Sequence, residues 1–306
     1  MYREIKFYLK TTIGFLVYLF GGVYFLKMLL KKKRYLIVLN YHNFSRYNNY
    51  GIKRGLITET GFEKSFGKQM KFISKHFKFS YLEEFYEMKN EGGVLITFDD
   101  GYKDNFDLAF PILKRYNVKA VFFLVTNLIG TEQWLLHDKL RYLVQTGLKS
   151  ELEIESLLSK LNQGYTLTDW LSKNSEILEK SDVRLMMNWI EVKEIFLNGF
   201  KIAPHTHNHE VLSSMDKNSQ FKEINDSILK LKKELNVGSN YFAYPNGQYN
   251  KCSLEVLQSS KIRYSFTTNP GFNGPEENFL QLKRIGVNAS DSVGVLLLKL
   301  ILKRNK

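Results

Sequence analysis

Two adjacent carboxylates, Asp99 and Asp100, and two imidazoles four positions apart, His205 and His209, are the residues of this 306-residue chain whose types and spacing suit chemistry. One carboxylate with two imidazoles makes a three-ligand set for a divalent cation that leaves coordination positions open for water and substrate. In that reading one of the two adjacent aspartates joins His205 and His209 as a metal ligand. Its neighbour is then the base that takes a proton from an attacking water. A helical turn over 205–209 would place His205 and His209 on one face and point His207 elsewhere. Each motif also has a plain reading, since Asp-Gly is a common turn and a His-rich loop can simply be solvated. Their positions relative to the strands are what set them apart.

From Tyr35 onward, short β-rich runs alternate with amphipathic stretches of helix length, the pattern of an α/β fold with a parallel sheet. The strand candidates are Leu36 to Asn40, Val94 to Phe98, Ala120 to Val125, Lys201 to Ala203, Tyr241 to Ala243 and Arg263 to Thr267. Helical patterns fall between them, near Trp189 to Leu197, Gln220 to Leu235 and Ser253 to Ser259. In a (β/α) barrel the loops after the strands converge on one mouth. Asp99-Asp100-Gly101, the segment His205 to His209, and Tyr244-Pro245-Asn246-Gly247 each follow a strand candidate, so one mouth would gather all three. Residues 131–184 are charged, Leu-rich and without a clear strand, and read as a helical insertion. Residues 291–306 read as a basic amphipathic helix that closes the barrel or touches a membrane surface.

Thr97-Phe98-Asp99-Asp100-Gly101 paired with His205-Thr206-x-x-His209 resembles the polysaccharide deacetylases of carbohydrate esterase family four, the NodB-homology domain, over roughly Tyr35 to Val287. The resemblance implies a distorted (β/α) barrel of about seven strands. It also implies Asp99 as base, and Asp100, His205 and His209 around a divalent metal ion, usually zinc, with cobalt or nickel as alternatives. The implied reaction is removal of N-acetyl groups from N-acetylglucosamine polymers. An O-acetyl esterase, a lipid-linked sugar deacetylase and a non-catalytic glycan-binding member of the fold are the rival readings. By motif position, Tyr244 and Asn246 lie at the substrate, and the Asn246 N–H is placed to hold the oxyanion. The sequence departs from the family at two places. Ala243 stands where the third motif usually has an Arg that orients the catalytic Asp, and Arg284 is the candidate replacement, with a surface arginine as the plain alternative. No His follows His209, so the late His that serves as general acid is missing. His42, in Leu39-Asn40-Tyr41-His42, is the candidate substitute, with a core histidine as its alternative; this start resembles the branch acting on poly-N-acetylglucosamine. His76 and His137 have no such context.

The net charge of +13 turns the partner question toward polyanions. The basic residues are spread along the chain without zinc-finger spacing or an RNA-recognition signature, so no nucleic acid is expected and an amino-sugar glycan is. The single cysteine, Cys252, excludes an intramolecular disulfide and a Cys-rich metal site. Residues 1–34 read as an N-terminal membrane-anchor helix with a basic linker, ahead of a catalytic domain at 35–290. Thr11 to Leu26, extendable to Leu30, is apolar and flanked by cations, close to the roughly 17–25 residues a bilayer requires. No small-residue cleavage site follows it; a buried N-terminal helix is the alternative. The cation count on the two sides points the domain to the cytoplasm, whereas an exported glycan points it outside, as a membrane-anchored extracytoplasmic enzyme.

Overall fold

The computed structural model describes residues 2–44, 62–87, 92–145, 150, 152, 153, 156 and 184–303. Three strands are largely apolar runs buried at every residue: Leu36–Tyr41 (β1), Gly93–Phe98 (β2) and Ala120–Leu124 (β3). Burial on both faces is what such runs require, since a parallel sheet is covered on both sides. Helices α1 (Tyr2–Leu19) and α2 (Gly22–Lys33) precede β1, and α3 (Phe62–His76) and α4 (Leu82–Tyr86) precede β2. A π-helical turn at Asn105–Ala109 runs into α5 (Phe110–Arg115) before β3, and α6 (Leu136–Gln145) and α7 (Trp189–Leu197) precede β4 (Lys201–Pro204). Then follow α8 (Lys217–Leu235), β5 (Tyr241–Ala243), α9 (Lys251–Ser259), β6 (Tyr264–Phe266), β7 (Ile285–Gly286) and α10 (Val293–Leu302).

The strands form a five-stranded sheet in the order β4-β3-β2-β1-β7 and a two-stranded sheet of β5 and β6, with every pair parallel. The period of two along each strand sorts its side chains between two cores. Ile37, Leu39, Tyr41, Ile96, Phe98 and Phe122 face the helices, packing with Phe66 and Met70 of α3 and Leu113 of α5. Leu36, Val38, Leu95, Val121 and Phe123 face the opposite way, onto Tyr241, Ala243, Tyr264 and Phe266 of the small sheet. The strand number and direction expected of a (β/α) barrel are present, but the hydrogen bonding makes two sheets; among the described residues it does not close into a ring. Most of the expected insertion at 131–184 lies outside the described residues, which retain its start as α6.

The N-terminal run is not the one helix expected: it is two helices bent by 70° at Phe20-Gly21, and no single helix among the described residues is long and apolar enough to cross a membrane, although the bent pair together has the length and composition to do so. The break follows from Gly21, whose φ of +84° is left-handed backbone that ends α1 and starts α2. Leu26 and Leu30 of α2 are buried in the same core cluster as Ile37 and Leu39, so α2 belongs to the domain. Along α1 runs α10, whose Val295, Leu296, Leu297 and Leu300 are buried. The two backbones touch at Gly14 and Gly294, where a Cβ added to Gly294 would stand 2.7 Å from the Gly14 carbonyl carbon. Replacing Gly294 with Leu should therefore loosen the helix pair by ~1–3 kcal/mol. Hydrogen exchange should show faster exchange in α1 with β1 to β3 unchanged.

Candidate active site

Asp99 and Asp100 leave the C-terminal end of β2 in a tight turn. Asp100 takes φ +77° and Gly101 φ +87°, and a Cβ at Gly101 would press against Ile129 and Leu124 at 2.8 and 3.0 Å. A non-glycine residue held at positive φ stores strain that surrounding structure must maintain. Here the turn aims both carboxylates into one pocket of about 360 Å³, which is also lined by His205, His209, His42, Asn246, His137 and Thr268.

His205 and His209 converge without the expected helical turn. Residues 205–209 are an irregular loop with Thr206 at φ +62° and His209 at φ +65°, so the fold of this loop, and not a helical period of four, brings the imidazoles together. Their Nε2 atoms stand 3.6 and 3.4 Å from Asp100 Oδ1, and one donor atom from each of the three residues lies within 4.8 Å of the others. The loop is clamped from α8: Glu223, buried, accepts from the backbone N–H of His207 at 3.0 Å, the N–H of Asn208 at 2.8 Å and the Asn208 side chain at 2.5 Å. His207 points away from Asp100, with its Nδ1 2.9 Å from the Thr126 hydroxyl.

The donor set fits a divalent metal ion. His205 Nδ1–H donates to the Ala243 carbonyl at 2.7 Å, which fixes the tautomer that leaves the Nε2 lone pair facing Asp100. Burial first, with His209 adding to it, lowers the His205 pKa to about 4 against the opposing pull of the two aspartates, so the ring is neutral and ready to ligate at physiological pH. Asp100 sits well below the usual carboxylate range: burial pushes it up, but the hydrogen bond and charge of His209 outweigh burial. Burial lowers His209 while Asp100 raises it further, leaving its pKa above the ordinary 6.5. The apo site near pH 6.5 therefore carries a proton on His209 and none on His205. Zinc uptake at that pH should release about one proton, and affinity should fall about tenfold per pH unit below the raised His209 pKa. Calorimetry in buffers of different ionisation enthalpy measures this; release of none or of two would contradict the assignment.

Behind Asp99 lies Arg284, 1% exposed and outside the pocket. Its guanidinium meets the carboxylate as a fork, Nη1 to Oδ1 at 2.7 Å and Nη2 to Oδ2 at 2.8 Å, and is held in place by the Thr267 carbonyl at 2.9 Å and Asn40 Oδ1 at 3.0 Å. The rings of Phe123 and Phe266 stand 5.7 and 5.8 Å from it. Arg284 is thus a buried positioning residue and no surface arginine. Asn40 Nδ2 adds a third donor to Asp99, on Oδ2 at 3.0 Å. That fills Oδ2 and leaves Oδ1 with one lone pair beyond its bond to Arg284. Burial pushes Asp99 up, yet Arg284, with His205 and His42, holds it below its ordinary 3.8. His42 is half exposed, with Nε2 3.8 Å from Asp99 Oδ2, so it belongs to the mouth and not to the core.

Two further expectations divide. Asn246 lines the pocket at φ +55°. Tyr244, expected at the substrate, is fully buried; its hydroxyl donates to the Leu280 carbonyl at 2.9 Å and accepts from Ser265. Its side chain braces β5 and β6 from behind. His137, which carries no motif, is in the pocket with its ring 5.8 Å from that of His209. The Tyr102 hydroxyl donates to buried Asp138 at 2.8 Å, so at 2.8 Å from that hydroxyl His137 Nε2 is the donor. The adjacent His137-Asp138 pair was the signal available in the sequence.

Comparison with known proteins agrees with this geometry. The polysaccharide deacetylase family profile matches residues 87–265. YxkH of Bacillus subtilis, whose name assigns it provisionally to the polysaccharide deacetylases, is 24% identical over 199 residues, covering 65% of this chain but 53% of its own length. A poly-beta-1,6-N-acetyl-D-glucosamine N-deacetylase of Staphylococcus aureus is 25% identical over 285 residues, 85% of this chain and 81% of that protein. Among solved structures, the deacetylase PplD of Streptococcus pyogenes in complex with acetate superposes with a TM-score of 0.60 at 22% identity, over 87% of this chain and 97% of that one, a likeness of fold. With the family profile spanning more than half of the chain and the strand-end carboxylates and imidazoles gathered in one pocket, the chain belongs to the polysaccharide deacetylase family and is a carbohydrate-deacetylating hydrolase.

Proposed function

We propose that the protein removes N-acetyl groups from an N-acetylglucosamine-type polysaccharide, releasing acetate, and that it depends on a divalent metal ion held by Asp100, His205 and His209. The observation that carries this reading is the neutral, tautomer-fixed His205 beside an ionised Asp100, with Asp99 adjacent and locked by Arg284. Zinc suits one carboxylate and two imidazoles best, and cobalt or nickel would substitute. Bound there, the ion would polarise the acetyl carbonyl and make water easier to deprotonate.

The residues then divide the work. Asp99 accepts the proton of the attacking water at the remaining lone pair of Oδ1, and Arg284 keeps that carboxylate ionised and aimed. Water oxygen adds to the acetyl carbon, and the Asn246 N–H stabilises the oxyanion. The carbon–nitrogen bond breaks as His42 protonates the departing amine, leaving acetate and a glucosamine residue. The relative acting on poly-beta-1,6-N-acetyl-D-glucosamine supports an amino-sugar polymer of the cell envelope, and with it an enzyme working outside the cytoplasm.

The test is acetate release from N-acetylglucosamine oligomers by the protein stripped of metal and then reloaded with zinc, cobalt or nickel. Metal-dependent release is expected. Release only from O-acetylated glycans would replace the amidase reading with an esterase. A protein that binds zinc but releases no acetate from either substrate would overturn catalysis on polymers.

A further inference from the structure

The bent helix pair presents an apolar face that the domain does not cover. Phe15 and Leu19 of α1, Phe20 at the elbow and Tyr24 of α2 are exposed, Phe20 by 82% and Tyr24 by 75%. The opposite sides of the same helices are occupied: Leu26 and Leu30 lie in the core, and Gly14 is pressed against α10. A pair fixed along one side and apolar along the other is suited to lie in the plane of a bilayer.

The charge around this face matches that placement. Lys27 and Lys31 to Lys33 of α2 are exposed, as are Lys68, Lys71 and Lys75 of α3. Between α1, α3 and the start of α10 runs a groove of about 560 Å³, with Phe15, Tyr18 and Phe72 on its walls and the three α3 lysines on its rim. The acid in the groove, Asp291, is already paired with Lys299 at 2.6 Å. Burial first, with the charges of Lys27 and Lys75 adding to it, holds the His76 imidazole below its ordinary pKa, and the two lysines bring positive charge together where α2 and α3 meet. Aromatic and aliphatic side chains bounded by lysines are the composition that seats a helix at the headgroup and acyl boundary, where each cation is drawn to anionic lipid.

We propose that α1, α2 and the α3 groove form an in-plane docking surface for an anionic lipid bilayer, with the groove taking a phosphate headgroup against its lysines and an acyl chain against Phe15, Tyr18 and Phe72. Arg34 caps α2 immediately before β1, and His42 lies just past the far end of that six-residue strand. The Arg34 end of α2 and the catalytic mouth are therefore at opposite ends of β1, about 20 Å apart at 3.3 Å per residue.

The experiment is cosedimentation of the full chain with vesicles of phosphatidylcholine alone and with added phosphatidylglycerol. Binding to the anionic vesicles should be at least about tenfold tighter and should weaken with salt. The double variant Phe20→Ser/Tyr24→Ser should lose binding to both vesicles. The variant Lys68→Gln/Lys71→Gln/Lys75→Gln should lose only the preference for anionic lipid. All five positions are exposed, so circular dichroism and acetate release from soluble oligomers should be unchanged. An alkaline carbonate wash should free the bound protein; retention would show a span and overturn in-plane docking. Equal binding to both vesicles would overturn the lipid selectivity. No vesicle binding, with a dimer in sedimentation that Phe20→Ser abolishes, would assign the face to a second copy of the chain. None of these readouts needs an acetylated substrate, so failure here leaves the deacetylase reading standing, and the reverse holds too.

Discussion

Replacing Arg284 with Met should destabilise the protein by about 3–5 kcal/mol, because it strands a buried carboxylate, and should cost the deacetylase most of its activity at neutral pH. Asp99 is 2% exposed and would keep a single donor, Asn40 Nδ2 at 3.0 Å. The pH dependence follows from the balance at Asp99. With Arg284 present the folded-state pKa lies below the ordinary 3.8, so the pair contributes stability above pH 3.8 that is lost as pH falls through the folded value. Without Arg284, burial, the largest influence, lifts the folded pKa above 3.8, and the variant is penalised at neutral pH for keeping the carboxylate ionised. Urea unfolding should therefore show the gap between wild type and variant narrowing as pH drops below about 4. The acid limb of the activity profile should move to higher pH. Arg284→Lys retains the charge but not the planar fork, and should recover part of the stability with less of the rate. An Arg284→Met protein with an unshifted acid limb would remove Arg284 from the control of Asp99.

The residues legible in the sequence were those at strand ends, and the reason is geometric. Strands such as Val94 to Phe98 are apolar on both faces, so a pair of carboxylates immediately after one has to sit at a sheet edge. What escaped reading depends on contacts between distant segments. Glu223 looks like any acid on a long helix, yet it holds the His207-Asn208 backbone from 15 or 16 positions away. Asn40 and Thr97 are lone polar residues in apolar strands and become a network only through the register that sets them opposite each other across β1 and β2. Ile285 and Gly286 form a strand too short to carry a period, so β7 was invisible although the Arg284 before it was not. The N-terminal run illustrates the limit of composition: Thr11 to Leu30 is apolar enough for a span, and only the left-handed turn at Gly21 and the burial of Leu26 and Leu30 make it two helices lying against a domain.

Substituting Asp99 with Asn should lower turnover by about 10²–10⁴, the usual contribution of a positioned base, while leaving bound zinc at the wild-type stoichiometry, since Asp100, His205 and His209 are untouched. Stability should fall as well. The introduced amide offers one acceptor oxygen where the carboxylate had two, so either Arg284 Nη1 faces an N–H instead of an oxygen or Arg284 Nη2 and Asn40 Nδ2 both do, and the guanidinium is left buried without a counter-charge. The double variant Asp99→Asn/Arg284→Met separates the roles. Removing both charges avoids stranding either, so its destabilisation should be smaller than the sum of the two singles by about 0.5–3 kcal/mol. Its turnover should be no lower than that of Asp99→Asn alone, because Arg284 lies outside the pocket and reaches the reaction only through the carboxylate it aims. A double variant whose rate falls by the product of the two single losses would mean that the arginine acts on the substrate independently, and the base assignment would lose its strongest structural support.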